Sequence, residues 1–284
     1  MKLKMVSFAF FMAPCELHEV LSLSETSETF RFMFTPTPAI QLFGPPSVQV
    51  EQQPTTRYHS QRVAALLFLL AAGEEPQSRA TLMTLLWENA VAGKAKASLS
   101  KCLYHLPDAI KPFIALDRAT VALRLPTIAV DTRTFTHLCQ NAMMPGLHPA
   151  TRVTALTQAA EIYRGEFLQG FCVEDAPRFN QWAANERERY RHLAAAVHGE
   201  LLAYHAGRRA HLQAIRHATA LLALDRTDEA TYRQLMRLLI ELGQYDAAAD
   251  VYRTCCQALQ ETHGAAPTAE TVALAAHFQL TPDN

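Results

Sequence analysis

The chain has 284 residues, 49% hydrophobic and 19% charged, which excludes a disordered or collagen-like polymer and leaves room for about two domains. A formal net charge of -1 gives no global pull toward nucleic acid or an anionic membrane, so any such footprint has to be local. Six cysteines without a C-x-x-C pair read as reduced thiols of a cytoplasmic protein, not as a disulfide or zinc framework, and no apolar run reaches the roughly 18 residues of a spanning helix.

The opening MKLKMVSFAFFMAPC sets two lysines before a short apolar run, but Pro14 before Cys15 spoils a secretory cleavage site. Residues 1–37 keep no period and end in TPTPA, and are expected to be a variable, disordered leader. Then Ile40 and Leu42 alternate with polar neighbours, GPP turns the chain, and Val48 and Val50 alternate again, which predicts a hairpin. Ser60 caps a helix through QRVAALLFLLAA that Gly73 stops, and Ser78 caps a second, RATLMTLLW, with Leu82, Leu85 and Leu86 at helical spacing. A third follows, with Leu99, Leu103, Leu106 and Ile110 on one face. Val121, Leu123 and Leu125 alternate with Thr120, Ala122 and Arg124, so two strands meet near Asp117–Arg118. Hairpin, three helices, hairpin is the order of a winged helix-turn-helix.

Beyond VDTRTF the texture is helical and alanine-rich. Asp131 is expected to cap a helix through Leu138, NAMMPGLHPATR is a loop, RVTALTQAAEIYRGEFL resumes the helix, and breaks at AGRR, LDRTD and LGQYD divide the helices that follow. Gly207 and Gly243, Leu212 and Ala248, Ile215 and Val251 share one offset, the mark of a helix-pair repeat near 34 residues in the tetratricopeptide manner. Leu235, Leu238, Leu239, Tyr245 and Tyr252 are expected to form the core of one such pair. VALAAHFQL is a closing helix. The fold class is therefore mainly α with small β: an α+β winged helix over 38–130 and an all-α repeat domain over 131–284.

The third helix carries the chemistry. GKAKASLSKCLYHLPDAIK imitates the end of a phosphate-binding loop, but Glu88 and Ala95 stand where glycine and a hydroxyl residue are needed, and a helix precedes it. With the leucines inward, Lys94, Ala97, Lys101, Tyr104, His105 and Asp108 face outward. Between Ile40 and Ala129 nine basic residues face six acidic ones, a local excess suited to double-stranded DNA. Ala97, Ser98, Lys101, Tyr104 and His105 are the expected base contacts; Arg57, Arg62, Lys94, Lys96 and Arg118 are the expected phosphate contacts. Pro107 should end the helix near Leu106.

The remaining constellations read as structure. His192, His198, His205, His211 and His217 lack the i, i+4 spacing of a metal pair and are expected to be groove or surface histidines. ERERYRH from Glu186 reads as a solvated mixed-charge face, and Tyr163, Phe167, Phe179 and Trp182 as anchors between helices. No catalytic motif, metal site or cofactor site is expected.

Residues 38–130 resemble an OmpR-type winged helix. YRGEFLQGF, APRFNQWAANERERY, LDRTDEATYRQLMRLLIELGQYDAAADVYRTCCQAL and THGAAPTAET resemble the bacterial transcriptional activator domain. Together they resemble the SARP regulators. That resemblance implies sequence-specific binding at promoter repeats as a homodimer and recruitment of RNA polymerase; the lack of a long apolar run separately predicts no membrane partner. The aligned helix departs from the usual ARNSLRQALSRLRRAL: Lys96, Ser100 and His105 replace arginines. A protein-interaction module with a degenerate winged helix is the alternative reading, as is the N-terminal part of a larger ATP-dependent regulator.

Overall fold

The computed structural model describes residues 39–50, 53–55, 58–124 and 128–279; the expected leader, Arg57 and Leu125 lie outside them. Strands β1 (Ala39–Gln41) and β2 (Ser47–Val50) form the expected hairpin, with Ile40 opposite Val48. In this sheet two strands escaped the sequence pattern: β3 (Gln53–Thr55) pairs with β2, and β7 (Ala129–Val130) lies parallel to β1. One contains Pro54 and the other has only two residues, too short for a period-two signal.

Helix α1 (Gln61–Ala72) begins where the Ser60 hydroxyl accepts from the Val63 N–H and ends at Gly73. Val63 through Ala71 are all buried, so this helix is enclosed on every side. Ser78 caps α2 (Arg79–Leu86) through the Thr81 N–H. Helix α3 (Ala92–Tyr104) stops before Pro107, and Leu106 and Ile110 enter the core from the turns beyond it. Within the helix the buried positions are Ala95, Leu99 and Cys102; Leu103 is only partly buried. Strands β4 (Gln77–Ser78), β5 (Ile114–Leu116) and β6 (Thr120–Leu123) form a second sheet in the order β4-β6-β5, its hairpin closed by the Asp117 N–H on the Thr120 carbonyl at 3.0 Å.

Seven helices follow among the described residues: α4 (Asp131–Ala142), α5 (Pro149–Ile162), α6 (Pro177–Gly207), α7 (His211–Leu224), α8 (Glu229–Glu241), α9 (Tyr245–His263) and α10 (Ala269–His277). Consecutive helices pack together, chiefly α4 on α5, α6 on α7 and α8 on α9. The repeat is real, but its offset is 34, the distance from the start of α7 at 211 to that of α9 at 245. This register matches Ala214 with Ala248 and Ala218 with Tyr252, all buried, whereas Leu212 is 71% exposed. The glycines misled because the left-handed residue of the first turn is Arg209 (φ 57), not Gly207, while Gly243 takes that role in the second (φ 72). Leu235, Leu238, Leu239 and Tyr252 share one buried cluster as expected. Tyr245 does not: it opens α9 at the solvent side of a turn and is half exposed. No helix among the described residues is long and apolar enough to cross a membrane.

The core does not break at residue 130. One hydrophobic cluster runs from Ile40 through α1, α3 and α4 to Leu201 of α6. Its seam is the segment 163–171, which lies along 42–44 like a strand: the helix expected to run on through Leu168 stops at Ile162, because the backbone beyond it pairs with 42–44 instead. The Leu168 N–H donates to the Leu42 carbonyl at 2.8 Å, the Gly44 N–H to the Glu166 carbonyl at 2.9 Å, and the Gln169 N–H to the Gly44 carbonyl at 3.0 Å. A Cβ on Gly165 would stand 3.2 Å from the Gly44 Cα, so only glycine permits the approach without displacement.

Two charged side chains lock this seam. The Asp131 carboxylate accepts the Leu42 and Phe43 N–H groups at 2.9 Å and that of Thr132 at 2.7 Å. Its helix runs beyond the expected Leu138 to Ala142, and its N-cap is Val130; Asp131 caps the exit of β1 as much as its own helix. Burial pushes its carboxyl up, against the pull of the three N–H donors. The Arg187 guanidinium donates to the carbonyls of Phe167 (2.8 Å), Leu168 (3.0 Å) and Phe171 (3.1 Å). ERERY is therefore a solvated face only in part: Glu188 and Arg189 are exposed, but Tyr190 is fully buried, its ring 5.1 Å from that of Phe43 and 5.3 Å from that of Phe167. Arg187→Ala should cost about 1.5–3 kcal/mol, the scale of a hydrogen bond to a charged group, read as a lower urea midpoint of the full chain with an unchanged slope. An unshifted midpoint would show that the three carbonyls do not need the guanidinium.

Candidate nucleic-acid interface

Helix α3 divides cleanly. Its inner positions enter the core, while Lys94, Lys96, Ala97 and Lys101 are exposed, Ser98 is half-buried and Tyr104 is 74% exposed. Lys94, Lys96, Lys101 and Arg118 make no ion pair among the described residues. The first turn holds no acid and no capping side chain, so the free N–H groups and the positive end of the helix dipole add to the lysines. Arg118 occupies the β5–β6 turn, which Arg79 holds: its Nε donates to the Asp117 carbonyl at 3.0 Å and its N–H to the Ala119 carbonyl at 2.8 Å.

The structure redistributes several expected contacts. His105 turns back as the C-cap of α3 and stacks on His59, ring centroids 3.8 Å apart and planes within 4°. Desolvation, His59, Lys101 and Lys111 hold it below the usual histidine range. Arg62 reaches the carboxylate of Asp175 at 3.7 Å and its carbonyl at 3.3 Å, so it serves an internal contact. Lys111 escaped the sequence reading: it pairs with Asp108 at 2.6 Å, which holds that carboxyl low, and lies 5.3 Å from the Tyr104 ring centroid. It neutralises the one acid beside the basic face and steadies Tyr104. Its position after the proline, outside the helical period, hid that role. Behind the face, Arg178 of α6 donates to Glu88 at 2.6 Å, tying the α2–α3 turn to the second half of the chain.

The histidine string lies elsewhere. His198 and His217 approach Nδ1 to Nδ1 at 3.0 Å between α6 and α7, and His205 stacks on His217 with centroids 5.5 Å apart. His192 meets Glu188, and His211 lies 3.5 Å from Glu241. Among the described residues no group of three or more His, Cys, Asp or Glu side chains could hold a metal.

Three helices with a β-hairpin beside the third are thus joined to a stack of helix pairs. Residues 130–279 match the bacterial transcriptional activator domain, and the chain belongs to that family. The match covers the second of the two parts on which the resemblance to SARP regulators rests. Among solved structures, the chain is similar in fold to Mycobacterium tuberculosis EmbR in complex with a low-affinity phosphopeptide: TM-score 0.56 at 19% identity, over 87% of this chain and 66% of that one. This chain thus spans just under two thirds of that neighbour's length. No curated protein sequence matches it.

The histidine cluster yields a pH dependence of stability. Burial first, then His198, His205 and Arg216, push His217 down to about 4. The folded form rejects a proton that the unfolded chain takes up near 6.5. Stability from this group is therefore present above pH 6.5 and lost as the pH falls toward 4. Discounted for its partial exposure, the loss is about 1–2 kcal/mol. Urea unfolding at pH 7 and pH 5 should show a larger drop for the wild type than for His217→Gln; equal drops would refute the assignment.

Proposed function

We propose that the chain is a transcriptional activator that binds double-stranded DNA through α3, with the helical half contacting a second copy of the chain and RNA polymerase. The carrying observation is the outer face of α3: Lys94, Lys96 and Lys101 without acidic partners among the described residues, with Tyr104 projecting beside them. Family membership supports the regulatory role. In this reading Ala97 allows close approach, Ser98, Lys101 and Tyr104 read base edges, and Lys94, Lys96 and Arg118 meet phosphates. The His59–His105 stack shapes the end of the helix and is not itself a base reader. The Arg178–Glu88 pair gives the helical half a direct hold on the α2–α3 turn.

A binding site selected from random duplex DNA by the full chain provides the test. Lys101→Ala with Tyr104→Ala should weaken binding to it by about 1–3 kcal/mol for each base edge no longer read, and relax its sequence preference. An unchanged affinity and preference would remove α3 from the interface. Replacing Lys94, Lys96 or Arg118 by alanine should instead flatten the slope of log affinity against log salt by about 0.9 for each phosphate no longer neutralised. A wild-type affinity indifferent to salt would favour the protein-interaction module.

A further inference from the structure

Between α4, α5 and α6 lies a cavity of about 500 Å³, within the range of small-molecule sites. Its floor is Cys139, Ala142, Leu156 and Val197, all buried and apolar. Burial pushes the Cys139 thiol up to about 11, so the floor carries no negative charge near neutrality. Exposed Met143 and Glu200 mark the side open to solvent. Gly199 keeps the cavity unfilled: a Cβ there would meet nothing within 4 Å.

One charged group is out of place. Arg152 lines this cavity half-buried, and its guanidinium makes no ion pair or hydrogen bond with any described residue. The other half-buried arginines do: Arg62 reaches Asp175, Arg79 holds the Asp117 carbonyl, Arg133 caps the end of α1, Arg187 holds three carbonyls, Arg191 pairs with Glu188, and Arg233 pairs with Glu229 and Glu270. A guanidinium is a planar fork that fits a carboxylate with two parallel hydrogen bonds. Glu200 also lines the cavity without a partner, but it is exposed, where water and salt screen its effect on a bound anion.

We propose that this cavity binds a small amphiphilic carboxylate. The hydrocarbon body lies on the apolar floor and the carboxylate on Arg152. The site is independent of the DNA interface, and its test does not require DNA.

The test is calorimetric titration of the full chain with sodium octanoate, with octylamine and octanol as charge controls. Octanoate should bind saturably at one site. Arg152→Ala should weaken octanoate about tenfold or more while leaving octanol unchanged. Gly199→Leu, which fills the space and replaces glycine inside a helix with a stronger helix former, should abolish binding and leave the circular dichroism spectrum intact. Absence of saturable octanoate binding, octylamine binding as tightly as octanoate, or full affinity in a folded Gly199→Leu variant would each overturn the proposal.

Discussion

Everything else in this fold depends on the seam where 163–171 runs along 42–44. A hairpin exit with unpaired N–H groups, buried beside a helix start, costs several kcal/mol unless each donor finds an acceptor. Asp131 supplies that acceptor from one side and the backbone of the activator-domain loop supplies it from the other. The carbonyls of that loop in turn meet Arg187. The loop carries its own conformational cost, since Leu168 sits at φ 50, a region unfavourable for a side chain with a Cβ. Aromatic rings from both halves then close over the joint: Phe43 lies between Phe135, Tyr163 and Tyr190. The first three helices and the first helices of the activator domain consequently share one interior.

That shared interior explains how the cations are distributed. Arginine carries five donors in a fixed fork and binds carbonyls at several angles at once. Arg133 and Arg187 are engaged in this way at a helix end and a loop, while Arg62 and Arg178 reach across to Asp175 and Glu88. Lysine is a strongly hydrated point charge on a flexible stem, and the lysines of α3 remain on the outside. The chain is nearly neutral overall, yet one helix face is basic, because α3 itself holds no acid and the neighbouring Asp108 is paired with Lys111.

The helical half follows a different rule. The first helices of its two successive pairs start 34 residues apart, and the positions that correspond are small or aromatic buried ones, Ala214 with Ala248 and Ala218 with Tyr252. Close helix approach selects these residues, whereas turn residues answer only to local backbone geometry. Arg209 can therefore stand in one turn where Gly243 stands in the other.

By itself the sequence determined most of the helices, the Ser60 and Ser78 caps, the two hairpins, the end of α3 before Pro107 and the basic character of its outer face. Each is a local property, set by periodicity within a turn or two, by one capping oxygen or by one missing N–H. Tertiary structure alone decided the rest. It placed β7 beside β1, buried Tyr190 within a run of charges, sent Arg62 to Asp175 and folded His105 onto His59. These outcomes depend on partners between about 40 and 150 residues away along the chain, and no local pattern encodes the partner of a side chain. A charged run reads the same in sequence whether water or a neighbouring loop meets it; only the packed neighbour sets the dielectric and the acceptors that fix which way each side chain turns.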